Sequence, residues 1–118
     1  MTVRIVVADD AEGLRTLLVR ALQKTGDIEV VGEAANGREA LDLVGALAPQ
    51  VLLLDLSMPV LDGMAVLREL AGSVPVVVLT GYGEDDIGPD CRALGARGFV
   101  EKGAPVQSIR DAIIGALA

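Results

Sequence analysis

The sequence predicts an α/β domain built on a mostly parallel, doubly wound sheet. Two observations carry this. Strand-like and helix-like segments alternate along all 118 residues, the pattern of a chain that lays helices over a parallel sheet. Three short runs, Val3 to Ala8, Val51 to Leu54 and Val76 to Leu79, are rich in Val, Ile and Leu and lack polar alternation, as strands covered on both faces must be.

Those three runs are the expected central strands. The segments 28–33 and 98–102 carry more polar residues, so they are expected at the two edges, where one side meets solvent. Five strands in the flavodoxin-like order 2-1-3-4-5 satisfy these assignments, and right-handed crossovers put helices on both faces. Helical spacing appears between the strands: Leu14, Leu17, Leu18, Ala21 and Leu22; Leu41, Val44 and Leu47; Met64, Leu67 and Leu70; Ile109, Ala112, Ile113 and Ala116. Pro105 suits the first turn of the last helix. For the fourth helix a late start is expected. Gly88-Pro89 resists a helix interior, which makes 81–89 a long loop and leaves a helix from about Pro89 to Leu94. The competing expectation is that Glu84, Asp85 and Asp86 open a normal helix, favoured by its dipole, with Pro89 bending it.

Composition bounds the function. The length suits a single domain spanning 1–118. The longest apolar stretches fall far short of the roughly 20 residues that span a bilayer, and no signal-peptide pattern opens the chain; a cytoplasmic protein without membrane association is expected. Cys91 is the lone cysteine and reads as a small buried side chain. A net charge of −7 argues against direct nucleic-acid binding, which runs on clustered Lys and Arg. With no histidine in the chain, Ser-His-Asp triads, Cys-His pairs and His-rich zinc sites are excluded.

The chemistry lies just past the end of each strand, because open α/β sheets bind ligands beyond the strands' carboxyl ends. Strand one ends at Asp9-Asp10, strand three at Asp55, strand four at Thr80 and strand five at Lys102. Clustered carboxylates repel one another unless a cation neutralises them. Mg²⁺ suits the set, since it uses one or two carboxylates, keeps waters and leaves room for phosphate oxygens. Lys102 then offers a mobile positive charge to a phosphoryl group and Thr80 a hydroxyl donor. The nucleophile is expected to be a carboxylate, because Asp can form an acyl phosphate. Single residues have plainer readings: Asp9 or Asp10 as a helix cap, Thr80 as an ordinary strand residue and Phe99 as core. Asp62 reads as the cap of the third helix. Gly81-Tyr82-Gly83 lacks the third glycine of a nucleotide loop and comes after the wrong strand.

Several segments together resemble the response regulator receiver domain along the whole chain: Val7-Ala8-Asp9-Asp10, the stretch 31–37, Leu54-Asp55-Leu56-Ser57-Met58-Pro59, Leu61-Asp62-Gly63, Leu79-Thr80-Gly81 and the stretch 95–102. The resemblance implies that Asp55 is the phosphoacceptor, that Asp10 binds Mg²⁺ directly with Asp9 acting nearby, often through water, and that the backbone carbonyl of Ser57 completes the protein ligands. It implies that Thr80 and Phe99 form a switch pair and that a sensor histidine kinase is the phosphodonor. The second strand and the segment after Lys102 look most like the subfamily whose output is a DNA-binding helix-turn-helix, so a C-terminal output domain and transcription regulation are expected, with a phosphorylation-dependent homodimer through the fourth helix, fifth strand and fifth helix. Val106, Ile114 and Leu117 are expected near that face. Pro105 is separated from Lys102 by Gly103-Ala104, a departure from the many receivers that place proline directly after the lysine. The expectation is a phospho-switch rather than an enzyme with separate substrate turnover. The alternatives are a stand-alone receiver acting by protein contact, a degenerate receiver that only binds a partner and an aspartyl-phosphate phosphohydrolase. The phosphohydrolase class places a second acid two residues past its nucleophile, where this chain has Ser57.

Overall fold

In the computed structural model, residues 2–56, 58, 61–81 and 84–117 are described. The elements alternate as β1 (Val3–Ala8), α1 (Glu12–Lys24), β2 (Ile28–Ala34), α2 (Gly37–Leu47), β3 (Val51–Asp55), α3 (Gly63–Leu70), β4 (Val76–Thr80), α4 (Glu84–Ala93), β5 (Ala96–Glu101) and α5 (Val106–Gly115). The sheet order is β2-β1-β3-β4-β5, with every pairing parallel. The apolar runs β1, β3 and β4 lie at the centre and the more polar β2 and β5 at the edges, as their composition predicts.

Strand alternation splits the core into two layers. Val6, Ala8, Leu52, Leu54, Val76 and Val78 face α2, α3 and α4. The intervening Ile5, Val7, Leu53, Val77, Leu79 and Val100 face α1 and α5. Ile113 of α5 is fully buried in the second layer, where truncation to alanine would cost about 2–5 kcal/mol. Val106, Ile114 and Leu117 are half-buried against this same α1–α5 layer, which reduces what they can offer the expected dimer face. Cys91 is buried in the other layer, its thiol pKa raised by burial and then by Asp90, against the opposing effect of Arg92. It is a core residue.

Polar residues set the element ends. Asn36 caps α2, accepting from the Glu39 amide at 2.9 Å, and the Glu39 carboxylate reaches back to the Ala35 amide at 2.8 Å, an arrangement close to a capping box. Asp62 caps α3 through the Ala65 amide at 2.9 Å, the structural role expected for it. At the opposite end of the sheet, Arg4 ties β1 to the C-terminus of α2 by donating to the Leu47 and Ala48 carbonyls. Arg110 ties α5 to Asp27, which precedes β2.

One expectation is overturned. α4 runs over Glu84–Ala93 with Pro89 inside it, so there is no loop reaching to Pro89. The helix begins at Glu84. Buried Cys91, and Leu94 packed on the core just beyond the helix, supply burial that offsets the hydrogen bond Pro89 cannot donate. Tyr82 and Gly83 lie outside the described residues.

Candidate functional site

The strand ends converge as the parallel topology requires. Asp9 comes directly after β1, Asp55 and Thr80 close β3 and β4, and Lys102 comes directly after β5. The Lys102 amide donates to the Thr80 carbonyl at 2.7 Å, which carries the β4–β5 pairing one residue further and holds the lysine at the sheet edge. Its ammonium lies 3.0 Å from Asp55 Oδ2. Carboxylate oxygens of Asp9, Asp10 and Asp55 lie within 4.8 Å of one another. Asp55 and Asp9 are almost fully buried, at 1% and 2% exposure, while Asp10 is exposed.

Two buried carboxylates at a sheet edge need compensation. The Lys102 ammonium supplies part of it. Burial works against the lysine's charge, but its hydrogen bond to Asp55 and its attraction to Asp55, Asp9 and Asp10 prevail, and its pKa is raised. Asp9 also accepts the Ala11 amide at 2.9 Å. That bond orients the carboxylate but does not cap α1, whose N-cap residue is Ala11, with no side-chain acceptor for the helix's first amides.

The site has two sides. Asp9, Asp55 and Lys102 continue the alternation of Val7, Leu53 and Val100 toward α1 and α5. Asp9 and Lys102 line an open groove there with Leu14, Leu18, Leu79 and Ile109. Thr80, buried at 2% exposure, continues the alternation of Val78 toward the opposite face. Phe99 pairs with Val78 and is half-buried against that same layer. The two residues of the expected switch pair therefore share one face of adjacent strands, and Asp9, Asp55 and Lys102 occupy the other.

Every sequence-derived site residue among those described is brought to this edge or, for Phe99, to the strand beneath it. The proposed Ser57 carbonyl ligand lies outside the described residues. Two contributors were not anticipated in these roles. Gly63 donates its amide to the Leu56 carbonyl at 3.1 Å, and a Cβ there would stand 2.5 Å from Leu56 Cα and 2.8 Å from the Asp55 carbonyl oxygen. Only glycine lets α3 start that close to the Asp55 segment; its place beside Asp62 was the available signal. Arg15 donates to the Asp9 backbone carbonyl at 2.6 Å and to Glu33 at 3.1 Å. Nothing in the residue pattern marked it.

A divalent cation fits this donor set. Octahedral Mg²⁺ ligands sit at about 2.0–2.1 Å and so span about 4.2 Å across the ion, close to the spread of the three carboxylates. Two of these carboxylates are buried, a situation that favours a cation as partner.

The response regulator receiver domain family matches residues 5–114, and the chain belongs to that family. It is 42% identical to a protein-glutamate methylesterase/protein-glutamine glutaminase of Moorella thermoacetica over 92% of its own length, but spans only 27% of that protein. It is 34% identical to sporulation initiation phosphotransferase F of Bacillus subtilis, covering 96% of this chain and 92% of that one. Among solved structures it is similar to a signal receiver domain from Mycobacterium tuberculosis described as that of the response regulator NarL, with 35% identity, a TM-score of 0.91 and coverage of 98% and 96% of the two chains. A LuxR-family two-component response regulator from Aurantimonas sp. SI85-9A1 is 26% identical with a TM-score of 0.92, over 99% of this chain and 86% of that one. The fold is that of a receiver domain of two-component signalling. No described helix is long and apolar enough to cross a membrane.

Proposed function

We propose that Asp55 is the phosphoacceptor of a signalling switch and that the donor is a phosphohistidine of a partner sensor kinase. The observation that carries this reading is a nearly fully buried Asp55 with an ammonium at 3.0 Å and two further carboxylates within 4.8 Å. A carboxylate oxygen of Asp55 attacks phosphorus, the donor's P–N bond breaks, and the imidazole leaves with its electron pair and takes a proton. Asp9, Asp10, Asp55 and the Ser57 carbonyl would hold Mg²⁺, which when bound neutralises the charge gathered on the phosphoryl oxygens. Lys102 is already beside the acceptor and moves from Asp55 to a phosphoryl oxygen. The chain assists its own phosphorylation and dephosphorylation and turns over no separate substrate.

The signal is relayed by Thr80 and Phe99. The Thr80 hydroxyl bonds the phosphoryl group, and Phe99 responds on the same sheet face. Readout by α4, β5 and α5 then changes self-association or an output domain. The resemblance to receivers with a helix-turn-helix output makes transcription regulation in the cytoplasm the expected readout, and the similarity to a two-component response regulator of the LuxR family is in keeping with it. With a net charge of −7, this domain leaves DNA contacts to that output module. A second reading, a receiver acting by protein contact in a phosphoryl relay, is supported by the similarity to a Bacillus protein named a phosphotransferase. Incubation with a small acyl-phosphate donor and Mg²⁺, then mass spectrometry, tests the core of the proposal: a single adduct on Asp55 is expected, and an adduct that persists in Asp55→Ala would overturn it.

A further inference from the structure

We infer that Arg15 is a positioning residue for the divalent-cation site, acting through the backbone of Asp9. The inference rests on the proposed Mg²⁺-dependent reading. Arg15 lies one turn into α1, and its side chain is only 13% exposed. One guanidinium nitrogen donates to the Asp9 carbonyl at 2.6 Å, and Nε donates to Glu33 Oε1, at the end of edge strand β2, at 3.1 Å. The acidic turn is thereby held from several directions. The Asp9 amide donates to the Ala34 carbonyl at 3.0 Å, and the Ala11 amide donates to the Asp9 carboxylate at 2.9 Å. The Asp9 carbonyl is a direct handle on the Asp9–Asp10 peptide plane, and that plane sets the direction in which Asp10 leaves the backbone.

Asp10 is the exposed member of the acidic trio, so the burial that holds Asp9 and Asp55 does not hold it. A planar guanidinium can satisfy two acceptors in a fixed geometry. Here one acceptor is the peptide that carries Asp10 and the other is a neighbouring strand, so α1, β2 and the acidic turn are locked as one unit. The sign of the effect separates positioning from charge. Arg15 is a cation near a cation site, and its partner Glu33 is an anion. Removing the guanidinium deletes a positive charge and uncovers a negative one, and both changes favour Mg²⁺ binding electrostatically. A loss of affinity can only come from lost orientation.

The experiment measures Mg²⁺ dissociation constants by calorimetry on the whole chain, for wild type, Arg15→Met, Arg15→Ala, Arg15→Lys and Glu33→Gln, with urea unfolding run in parallel without metal. Arg15→Met keeps the apolar stem and removes the donors. Partners that orient metal ligands from behind typically contribute 10–100-fold in affinity. Arg15→Met and Arg15→Ala are expected to bind Mg²⁺ about tenfold more weakly. Arg15→Lys can still reach a single acceptor and should fall between Arg15→Met and wild type, and Glu33→Gln, which keeps the bond to Asp9, should stay within about twofold of wild type. A second readout is the rate of phosphorylation by a small acyl phosphate: saturating Mg²⁺ should restore it in Arg15→Met. Unchanged or tighter Mg²⁺ binding in Arg15→Met would overturn the inference, as would loss of folding in both Met and Ala variants, which would make the contact structural. A wild type that binds no Mg²⁺ would instead defeat the underlying metal-site reading.

Discussion

The Lys102 ammonium is hydrogen-bonded to Asp55 Oδ2 at 3.0 Å across the mouth of the sheet, which couples the end of β5 to the end of β3 before any phosphoryl group arrives. Lys102 is therefore a counter-charge to Asp55 here, and its part in binding a phosphoryl group belongs to the proposed function. Replacing it with alanine should leave Mg²⁺ affinity little reduced. It should also weaken the structural response to phosphorylation, read as smaller amide shift changes at Phe99 and in α4 on adding a phosphoryl donor. A full response in Lys102→Ala would argue against the role.

The same contact makes a pH signature. Lys102 has a folded pKa raised above its ordinary value, because its bond to Asp55 and the surrounding acids outweigh burial. A raised pKa means that the stabilisation is fully present below the unfolded value and is lost as pH rises through the folded one. Without divalent ions, the urea midpoint of wild type should exceed that of Lys102→Met by a constant gap up to about pH 9, and the gap should narrow above about pH 10.4. A gap that is flat through pH 11 would separate the ion pair from stability.

Asp10 is the exposed acid of the trio, so its loss should remove metal binding with no cost to the core. Asp10→Ala is expected to abolish Mg²⁺-dependent phosphorylation and to leave the metal-free urea midpoint unchanged or higher, since one source of carboxylate repulsion is gone. Chelating Mg²⁺ from wild type should likewise stop phosphorylation with the circular dichroism spectrum intact. Phosphorylation at an undiminished rate in chelator would remove the metal from the mechanism.

Gly63 is a steric prediction. A Cβ at that position would meet backbone atoms of Leu56 and Asp55 at 2.5 and 2.8 Å, and backbone cannot step aside as a side chain can. Gly63→Ala should destabilise the domain by about 2 kcal/mol or more and shift the Asp55 segment enough to slow phosphorylation. Chemical denaturation beside acyl-phosphate kinetics would check both. Wild-type values for both would mean that α3 can move away from β3 freely.

A stabilising change is available far from the site. Ala48 ends α2 with φ +47°, a left-handed conformation that costs a non-glycine residue about 1 kcal/mol or more. Ala48→Gly relieves that strain at some cost in unfolded-chain entropy, for a net gain of up to about 1 kcal/mol. Its urea midpoint should rise while phosphorylation stays as in wild type. A lower midpoint would show that the strain is smaller than the entropy.

The sheet and the residues at its carboxyl edge were legible in the sequence, because both arise from period and composition. Unalternated Val, Ile and Leu runs have to be central strands, and parallel strands have to deliver Asp9, Asp10, Asp55, Thr80 and Lys102 to one edge. Local chemistry likewise marked Asp62 as a cap. Other features depended on contacts between segments distant in the chain. Proline's preference argued for a late α4, yet the helix runs back to Glu84, with burial at Cys91 and Leu94 offsetting the cost of Pro89 inside it. Gly63 is needed only because α3 packs onto the Asp55 carbonyl, and Arg15 reaches Asp9 and Glu33 only once β2 lies beside β1. Sequence pattern records which way a side chain faces its own element; which backbone atom it meets is decided when elements pack, and there the tertiary structure alone made Arg15 part of the acidic site.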